Sequence, residues 1–273
     1  MKLSIITINY NNCKGLERTL HSIQSQTCHD FEWIVIDGGS TDGSRELVEQ
    51  HQNSISYWCS EPDRGIYHAM NKGVAKAIGD YCLFLNSGDE LCDSHVIERL
   101  QNTSFSADIV SCDIYIDGVG RDKLRKSVES VNAYWLYDNS LYHPSTWIRR
   151  EVLVKYPYHE EFRTISDWVF FFETLVLHDS SYQHVPMAIS VFYKNGISNN
   201  SQFIDIEYSD KYNYLKNYFP TQYVNDKNTI TSLHYLSSDT ARMSYVGRWL
   251  MLLLFRIVAY ADFRIIKPLL RML

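Results

Sequence analysis

The chain is 273 residues long, 45% apolar and 14% aromatic with 21% charged residues, which suits one large α/β domain or one domain with an appendage. That balance excludes a disordered chain, and a net charge of −6 argues against nucleic-acid binding. No uncharged apolar run reaches the ~18 residues a membrane span needs. The six cysteines (13, 28, 59, 82, 92 and 112) form no C-x-x-C pair. With Met1 followed almost at once by an apolar strand, no secretory leader is expected, and reduced thiols in the cytoplasm are.

Residues 3–8, LSIITI, predict a short apolar strand, followed by the polar turn Asn9-Tyr10-Asn11-Asn12. A helix is expected from about Lys14 to Ser25, with Leu16, Leu20 and Ile23 on one face. A second strand, FEWIVI at 31–36, ends in Asp37-Gly38-Gly39-Ser40-Thr41-Asp42-Gly43, where Ser40 or Thr41 would cap a helix from Ser44 to His51. A third strand, 55–59, leads to Glu61-Pro62-Asp63-Arg64-Gly65 and a helix from Ile66 to about Ala77. The fourth strand, 81–85, stops abruptly at Asn86-Ser87-Gly88-Asp89. This βαβαβαβ order predicts a largely parallel sheet whose strand carboxyl ends open onto a ligand crevice.

A carboxylate at that lip, with small neighbours, suits a divalent cation that itself holds a phosphate, which makes Asp89 a candidate metal ligand. The plainer reading is a turn residue capping the helix that follows near Asp93. Asp37 stands where a dinucleotide fold places its ribose acid, yet the turn after strand one is N-Y-N-N, and no G-x-x-x-x-G-K-[ST] loop occurs. A mononucleotide held by side chains remains. Asp37 would accept from a base N–H or a ribose hydroxyl, Tyr10 would stack on the base, and Arg64 would reach the base or the diphosphate. Each is also an ordinary turn or rim residue.

In the second half, Ala107–Ile116 reads as one strand or a bent pair, and Val119–Val128 is polar. Tyr142-His143-Pro144-Ser145 precedes the short apolar segment 146–148, and Pro144 would hold His143 extended. Phe162 to Trp168 opens an apolar helix, 169–177, where Asp167 reads as an N-cap. A strand over 182–193, a turn at Lys194–Asn199 and a Tyr-rich helix over about 202–219 follow. From Arg242 onward six basic residues and one acid give +5, leaving −11 for the first 241 residues. The tail carries WLMLLLF (249–255) between Arg248 and Arg256, and at ~100° per residue Arg242, Arg256, Arg264 and Lys267 share an arc of about 80°, one basic stripe beside a broad apolar face. Such a helix would lie in a membrane interface, or dock on the domain or on a second copy in a homodimer.

ITINYNN, WIVIDGGSTDGS, SEPDRGIYHAMNKGVAKAIGDY and LFLNSGDE, in that order and spacing, resemble family 2 glycosyltransferases of the GT-A fold. The resemblance is dense over residues 1–90 and continues weakly to about 200. It implies an α/β fold of GT-A type, a domain at 1–219 (nucleotide half 1–118, acceptor half 119–219) and a C-terminal helical segment at 220–273. It implies inverting transfer of a sugar from a nucleotide sugar, assisted by Mg²⁺ or Mn²⁺, to a lipid-linked saccharide in surface polysaccharide (O-antigen or capsule) assembly at the inner face of the cell membrane. Residue by residue, it assigns nucleotide binding to Thr7, Asn9, Tyr10, Asp37, Asp63, Arg64 and Asn71. The donor sugar falls to Asn86, Ser87 and Gly88, and the metal to Asp89. Asp167 is the implied catalytic base, with His143 and Trp168 toward the acceptor. Two departures stand out: Asp89 alone remains of the usual D-x-D acids, and Asn195 replaces the first Gly of a G-G-I-S turn. A nucleotidyltransferase and a non-catalytic nucleotide-sugar-binding subunit are the alternative readings.

Overall fold

The computed structural model describes residues 2–116, 123–193 and 201–218. The chain divides into two compact units, residues 1–211 and 212–273. In the first unit, β1 (Leu3–Asn9), α1 (Cys13–Gln24), β2 (Glu32–Asp37), α2 (Ser44–Gln50), β3 (Tyr57–Ser60), α3 (Ile66–Lys76) and β4 (Tyr81–Phe84) alternate as the hydrophobic pattern predicts. Then come β5 (Glu90–Leu91), α4 (Val96–Gln101), β6 (Ile109–Ile116), β7 (Leu124–Arg125), α5 (Ala133–Asp138), β8 (Thr146–Arg149), α6 (Arg150–Lys155), α7 (Ser166–Phe172) and β9 (Tyr182–Phe192). A last helix, α8, is assigned at Ser201–Leu215.

The strands form one sheet in the order β3-β2-β1-β4-β8-β6-β9-β5, with β7 on β6. The first four are parallel, as βαβ crossovers require. Beyond β4 the sheet is mixed: β8 runs antiparallel to both β4 and β6, whereas β6 and β9 are parallel. Strand alternation sends Leu3, Ile5, Trp33, Val35 and Leu83 to one face, where Leu16, Leu20 and Ile23 of α1 cover them. The other face takes α3. Gly73 sets how close that helix comes, since a Cβ there would lie 2.5 Å from Ile6 Cγ2. Gly73→Ala is expected to destabilise the domain by about 1–3 kcal/mol through overpacking, measured by chemical denaturation.

Register places the site. Asn9 pairs with Asp37, and Asp37 with Ser60, so three polar side chains stand in a row at the carboxyl ends of β1, β2 and β3. Among the described residues no helix is long and apolar enough to cross a membrane.

Several local expectations change. Gly43, at φ +95°, occupies the cap position of α2, because Ser40 is drawn to Asp37 and Asp42 Oδ1 accepts the Ser44 N–H at 3.2 Å. Asp89 does not cap α4, which starts seven residues later; Asp93 Oδ1 accepts instead from His95 N at 2.8 Å. Asp167 is not a cap either, since Ile165 fills that position and Asp167 lies within the first turn of α7. His143–Ser145 form a 3-10 turn rather than an extended segment. Proline lacks only an N–H that the start of a helical turn leaves unpaired anyway. Ala107–Ile116 resolves into one strand whose pairing with β9 shifts register between Cys112 and Ile114. The apolar run after α7 ends in a π turn, Glu173–Leu177. Residues 119–122 of the polar stretch, the turn at Lys194–Asn199 and the basic tail lie outside the described residues.

Candidate active site

At the row of strand ends, Asp37 is almost fully buried and its carboxylate is filled from within the protein. Oδ1 accepts from Asn9 Nδ2 at 2.7 Å and Ser40 Oγ at 2.5 Å, and Oδ2 from Ser40 N at 2.9 Å and Ser60 Oγ at 2.6 Å. Burial works to raise this carboxyl, but the hydrogen bonds from Ser40, Ser60 and Asn9 outweigh it and hold it below its usual range. Beside the row, Tyr10 is 68% exposed and forms a free aromatic wall. Asp63 sits across from it, one-tenth exposed, with Lys72 Nζ at 2.6 Å and His68 Nδ1 at 3.1 Å from its Oδ1. Arg64 reaches outward to Glu160, Nη2 to Oε2 at 2.5 Å.

The Asn86–Asp89 loop is gripped by α1. The Thr19 hydroxyl, fully buried, lies 2.6 Å from the Asp89 carbonyl and accepts from Gly88 N at 3.0 Å. Asn12 Nδ2 donates to the Ser87 carbonyl at 2.9 Å and Arg18 Nη1 to the Gly88 carbonyl at 3.3 Å. Gly88 adopts φ +109°, a region closed to most side chains, so the loop's sharp turn depends on it. The Arg18 guanidinium also lies 4.1 Å above the Tyr193 ring, whose hydroxyl donates to Glu90 Oε1 at 2.7 Å.

Burial pushes the Asp89 carboxyl up to about 8, against the opposing pull of the Asn86 backbone N–H and the Arg18 charge. Among the described residues no group of three or more His, Cys, Asp and Glu is placed to hold a metal ion. The loop nevertheless supplies oxygen donors: the Asp89 carboxylate, and Asn86 Oδ1, which is buried with no hydrogen-bond partner. Such a set fits a hard cation whose remaining ligands come from substrate phosphates. It does not fit a resident metal held by protein alone.

At the start of α7, Asp167 meets Tyr67 and His143. Tyr67, from α3, donates its hydroxyl to Asp167 Oδ1 at 3.0 Å. Burial first, and then the Asp167 charge, keep that phenol protonated well above the usual tyrosine range. His143 Nδ1 lies 4.0 Å from Asp167 Oδ2, and its Nε2 is 3.0 Å from the Tyr158 hydroxyl. Phe84 at the end of β4, Phe171 and Tyr158 enclose the imidazole. Burial holds His143 below its ordinary range although Asp167 pulls the other way, so at neutral pH it is uncharged. Asp167 keeps 29% of its side chain exposed, and no described Lys or Arg pairs with it. It is a carboxylate with one oxygen held and the other open. Tyr67→Phe removes a charge-assisted hydrogen bond and is expected to lower kcat about tenfold with little change in donor KM, read from initial rates.

Not every residue singled out from sequence reaches this cleft. Thr7 is fully buried with its hydroxyl accepting from Trp33 Nε1 at 3.0 Å, which removes it from the nucleotide-binding set. Trp168 is likewise a core residue, its Nε1 donating to the Leu136 carbonyl at 2.5 Å, and does not face an acceptor. Asn71 spends both ends of its amide on the Tyr158 backbone, at 2.8 and 3.0 Å, and so positions Tyr158. Asn9 supports Asp37. Tyr67, Tyr158, Lys72, Thr19 and Arg18 escaped sequence reasoning. Tyr67 and Lys72 stand on the α3 segment whose motif had been singled out, but only the fold shows what they touch.

A half-parallel α/β sheet places an exposed tyrosine, buried carboxylates and a glycine turn at its strand carboxyl ends, where such sheets open a ligand crevice. Residues 4–171 match the Glycosyl transferase family 2 profile, and the chain belongs to that family. A PGL/p-HBAD biosynthesis glycosyltransferase of Mycobacterium bovis (strain BCG / Pasteur 1173P2) is 30% identical over 181 residues, covering 61% of this chain and 67% of that protein. An uncharacterized glycosyltransferase of Mycobacterium tuberculosis (strain ATCC 25618 / H37Rv) is 43% identical over 98 residues, and the match spans only 37% of its length. Among solved structures, Staphylococcus aureus TarS residues 1–349 in complex with UDP-GlcNAc superposes with a TM-score of 0.64 at 18% identity, over 83% of this chain and 70% of that one. The mannosyltransferase PcManGT of Pyrobaculum calidifontis, in complex with GDP-Man and Mn²⁺, gives 0.59 at 15% identity, over 96% and 81%. At these identities the likeness is one of fold.

Proposed function

We propose that the chain transfers a sugar from a nucleotide-sugar donor to a saccharide hydroxyl, with inversion at the anomeric carbon. The acceptor oxygen attacks that carbon from the face opposite the diphosphate. The new C–O bond forms as the bond to the diphosphate breaks, and Asp167 takes the hydroxyl proton on its open oxygen. The reading rests on one observation above all: a part-exposed carboxylate with one oxygen held by Tyr67 and no Lys or Arg paired with it among the described residues. Neutral His143 packs beside it without competing as a charge. Tyr10 and Asp63 line the nucleoside side of the cleft, with Asp37 shaping its floor. Arg64, whose exposed pair with Glu160 is worth ~0–1 kcal/mol, is free to turn toward the diphosphate. Asn86, Ser87 and Gly88 would border the donor sugar. Asp89 with Asn86 would hold Mg²⁺ or Mn²⁺, which when bound supplies positive charge to the leaving diphosphate.

The acceptor side is carried by sequence. A basic arc on an apolar tail suits the cytoplasmic face of a membrane, and a lipid-linked saccharide in surface polysaccharide assembly would give it a purpose. The solved neighbours hold a uridine donor in one case and a guanosine donor in the other, so they leave the base open. Purified protein screened by thermal shift against UDP-, GDP-, dTDP- and CMP-sugars, with Mn²⁺ and with EDTA, tests the donor reading. A metal-dependent rise with one class is the expected result. No rise with any donor, together with no donor hydrolysis, would overturn it.

A further inference from the structure

We infer that Tyr158 locks the His143 ring in its Nδ1–H tautomer, and that this N–H and Asp167 together seat the acceptor hydroxyl. The inference rests on the transfer reading above and deepens it. Tyr158 is 2% exposed, and its hydroxyl has a single hydrogen-bond partner among the described residues, His143 Nε2 at 3.0 Å. Burial first, and then the Asp167 charge, keep that phenol protonated well above the usual tyrosine range. A buried O–H with one partner in reach donates to it, because an unpaired buried donor is costly. His143 is neutral, so it carries one ring proton, and with Nε2 accepting that proton is on Nδ1. Asp167 favours the same state. Its Oδ2 lies 4.0 Å from Nδ1, and the other tautomer would turn a lone pair toward that carboxylate.

The 4.0 Å gap is too long for a direct hydrogen bond and suits one bridging oxygen, about 2.8 Å from each group. Phe84, Phe171 and Tyr158 close round the imidazole, while the part-exposed Asp167 opens the pair to solvent. A hydroxyl fills that seat completely. Its proton faces Asp167 Oδ2, one lone pair accepts from Nδ1–H, and the second lone pair is left for the anomeric carbon. As the new C–O bond forms, the proton passes to Asp167 and the diphosphate leaves with the electrons of the broken bond. The His143 ring keeps its own proton throughout. A protonated amine has no lone pair to accept from Nδ1–H, so the seat selects a hydroxyl. Behind it stands α3. Tyr67 grips Asp167 Oδ1, and Asn71, one helical turn on, holds the Tyr158 backbone at 2.8 and 3.0 Å. Tyr158 is thus a positioning residue that acts through His143.

The ring nitrogens are read directly by ¹⁵N NMR of the full chain labelled at histidine, with His143→Ala identifying the resonances. At neutral pH His143 should show a protonated Nδ1 and a bare Nε2, and in Tyr158→Phe the Nε2 should gain protonation in at least part of the population. A bare Nδ1 in the wild type, or a ring unmoved in Tyr158→Phe, overturns the assignment. The hydroxyl seat is tested by hydrolysis of UDP-, GDP-, dTDP- and CMP-sugars with Mn²⁺, in which water takes the acceptor's place. His143→Asn keeps an N–H near the Nδ1 position, whereas His143→Gln carries its amide to the Nε2 position. The Asn variant should turn over at least about tenfold faster than the Gln variant at similar donor KM, and Tyr158→Phe should lose about tenfold in kcat alone, as for one hydrogen bond. Equal rates in the Asn and Gln variants overturn the seat and leave Asp167 as the base. Hydrolysis of no donor by the wild type overturns the transfer reading and the seat with it, while the nitrogen shifts still decide the tautomer.

Discussion

Asp167→Asn should fold normally, bind donor as the wild type does, and lose turnover by about 10²–10⁴-fold. The amide is isosteric, and its oxygen can still accept the Tyr67 hydroxyl that now reaches Oδ1 at 3.0 Å. What disappears is the basic oxygen. Stability should change little, because the side chain keeps 29% exposure and both ionisable neighbours are uncharged, His143 held neutral and Tyr67 held protonated by burial. The measurement is kcat for transfer alongside the donor-induced thermal shift. Unchanged donor binding with collapsed kcat is the signature of a base. Near-normal kcat would remove Asp167 from the chemistry and leave Tyr67 as the group to examine. The Tyr67→Phe effect should be smaller, since it loosens the carboxylate without removing it.

The first half of the chain was legible because its signals are local. Apolar runs separated by amphipathic helices fix β1 to β4, and the order of crossovers fixes their parallel pairing. Asp37, Asp63, Asp89 and Asp167 were all visible as acids at strand ends or before an aromatic. What each carboxylate does was not visible, because that depends on donors remote in sequence. Ser60 reaches Asp37 from 23 residues away and Tyr67 reaches Asp167 from 100. Thr7 and Trp168 misled for the opposite reason. Thr7 lies on the same strand face as Asn9 but one step deeper, where Trp33 covers it, and Trp168 follows Asp167 but turns to the buried side of its helix. The mixed half of the sheet was illegible because β8 enters between β4 and β6 through long-range pairing that leaves no periodic trace.

Asp89→Asn should separate from the wild type in two ways that depend on pH. Without divalent cation, the folded protein keeps a proton on Asp89 up to about pH 8, whereas the unfolded chain releases it near 3.8. Between those values the folded state binds more protons, so wild-type stability falls as pH rises, by at most about 1.4 kcal/mol per unit. Asparagine has no proton to lose. In EDTA the variant should therefore melt close to the wild type near pH 4 and above it by an increasing margin toward pH 8. With donor and Mn²⁺ the order reverses. Any cation at this carboxylate must displace the same proton, so the wild type's response to Mn²⁺ should strengthen from pH 6 to 8, and the variant should show none. Turnover of the variant should fall about 100-fold or more, the scale of losing charge stabilisation on a leaving diphosphate. Parallel melting curves for the two proteins in EDTA would show that burial does not hold the proton. An undiminished Mn²⁺ response in Asp89→Asn would place the cation elsewhere.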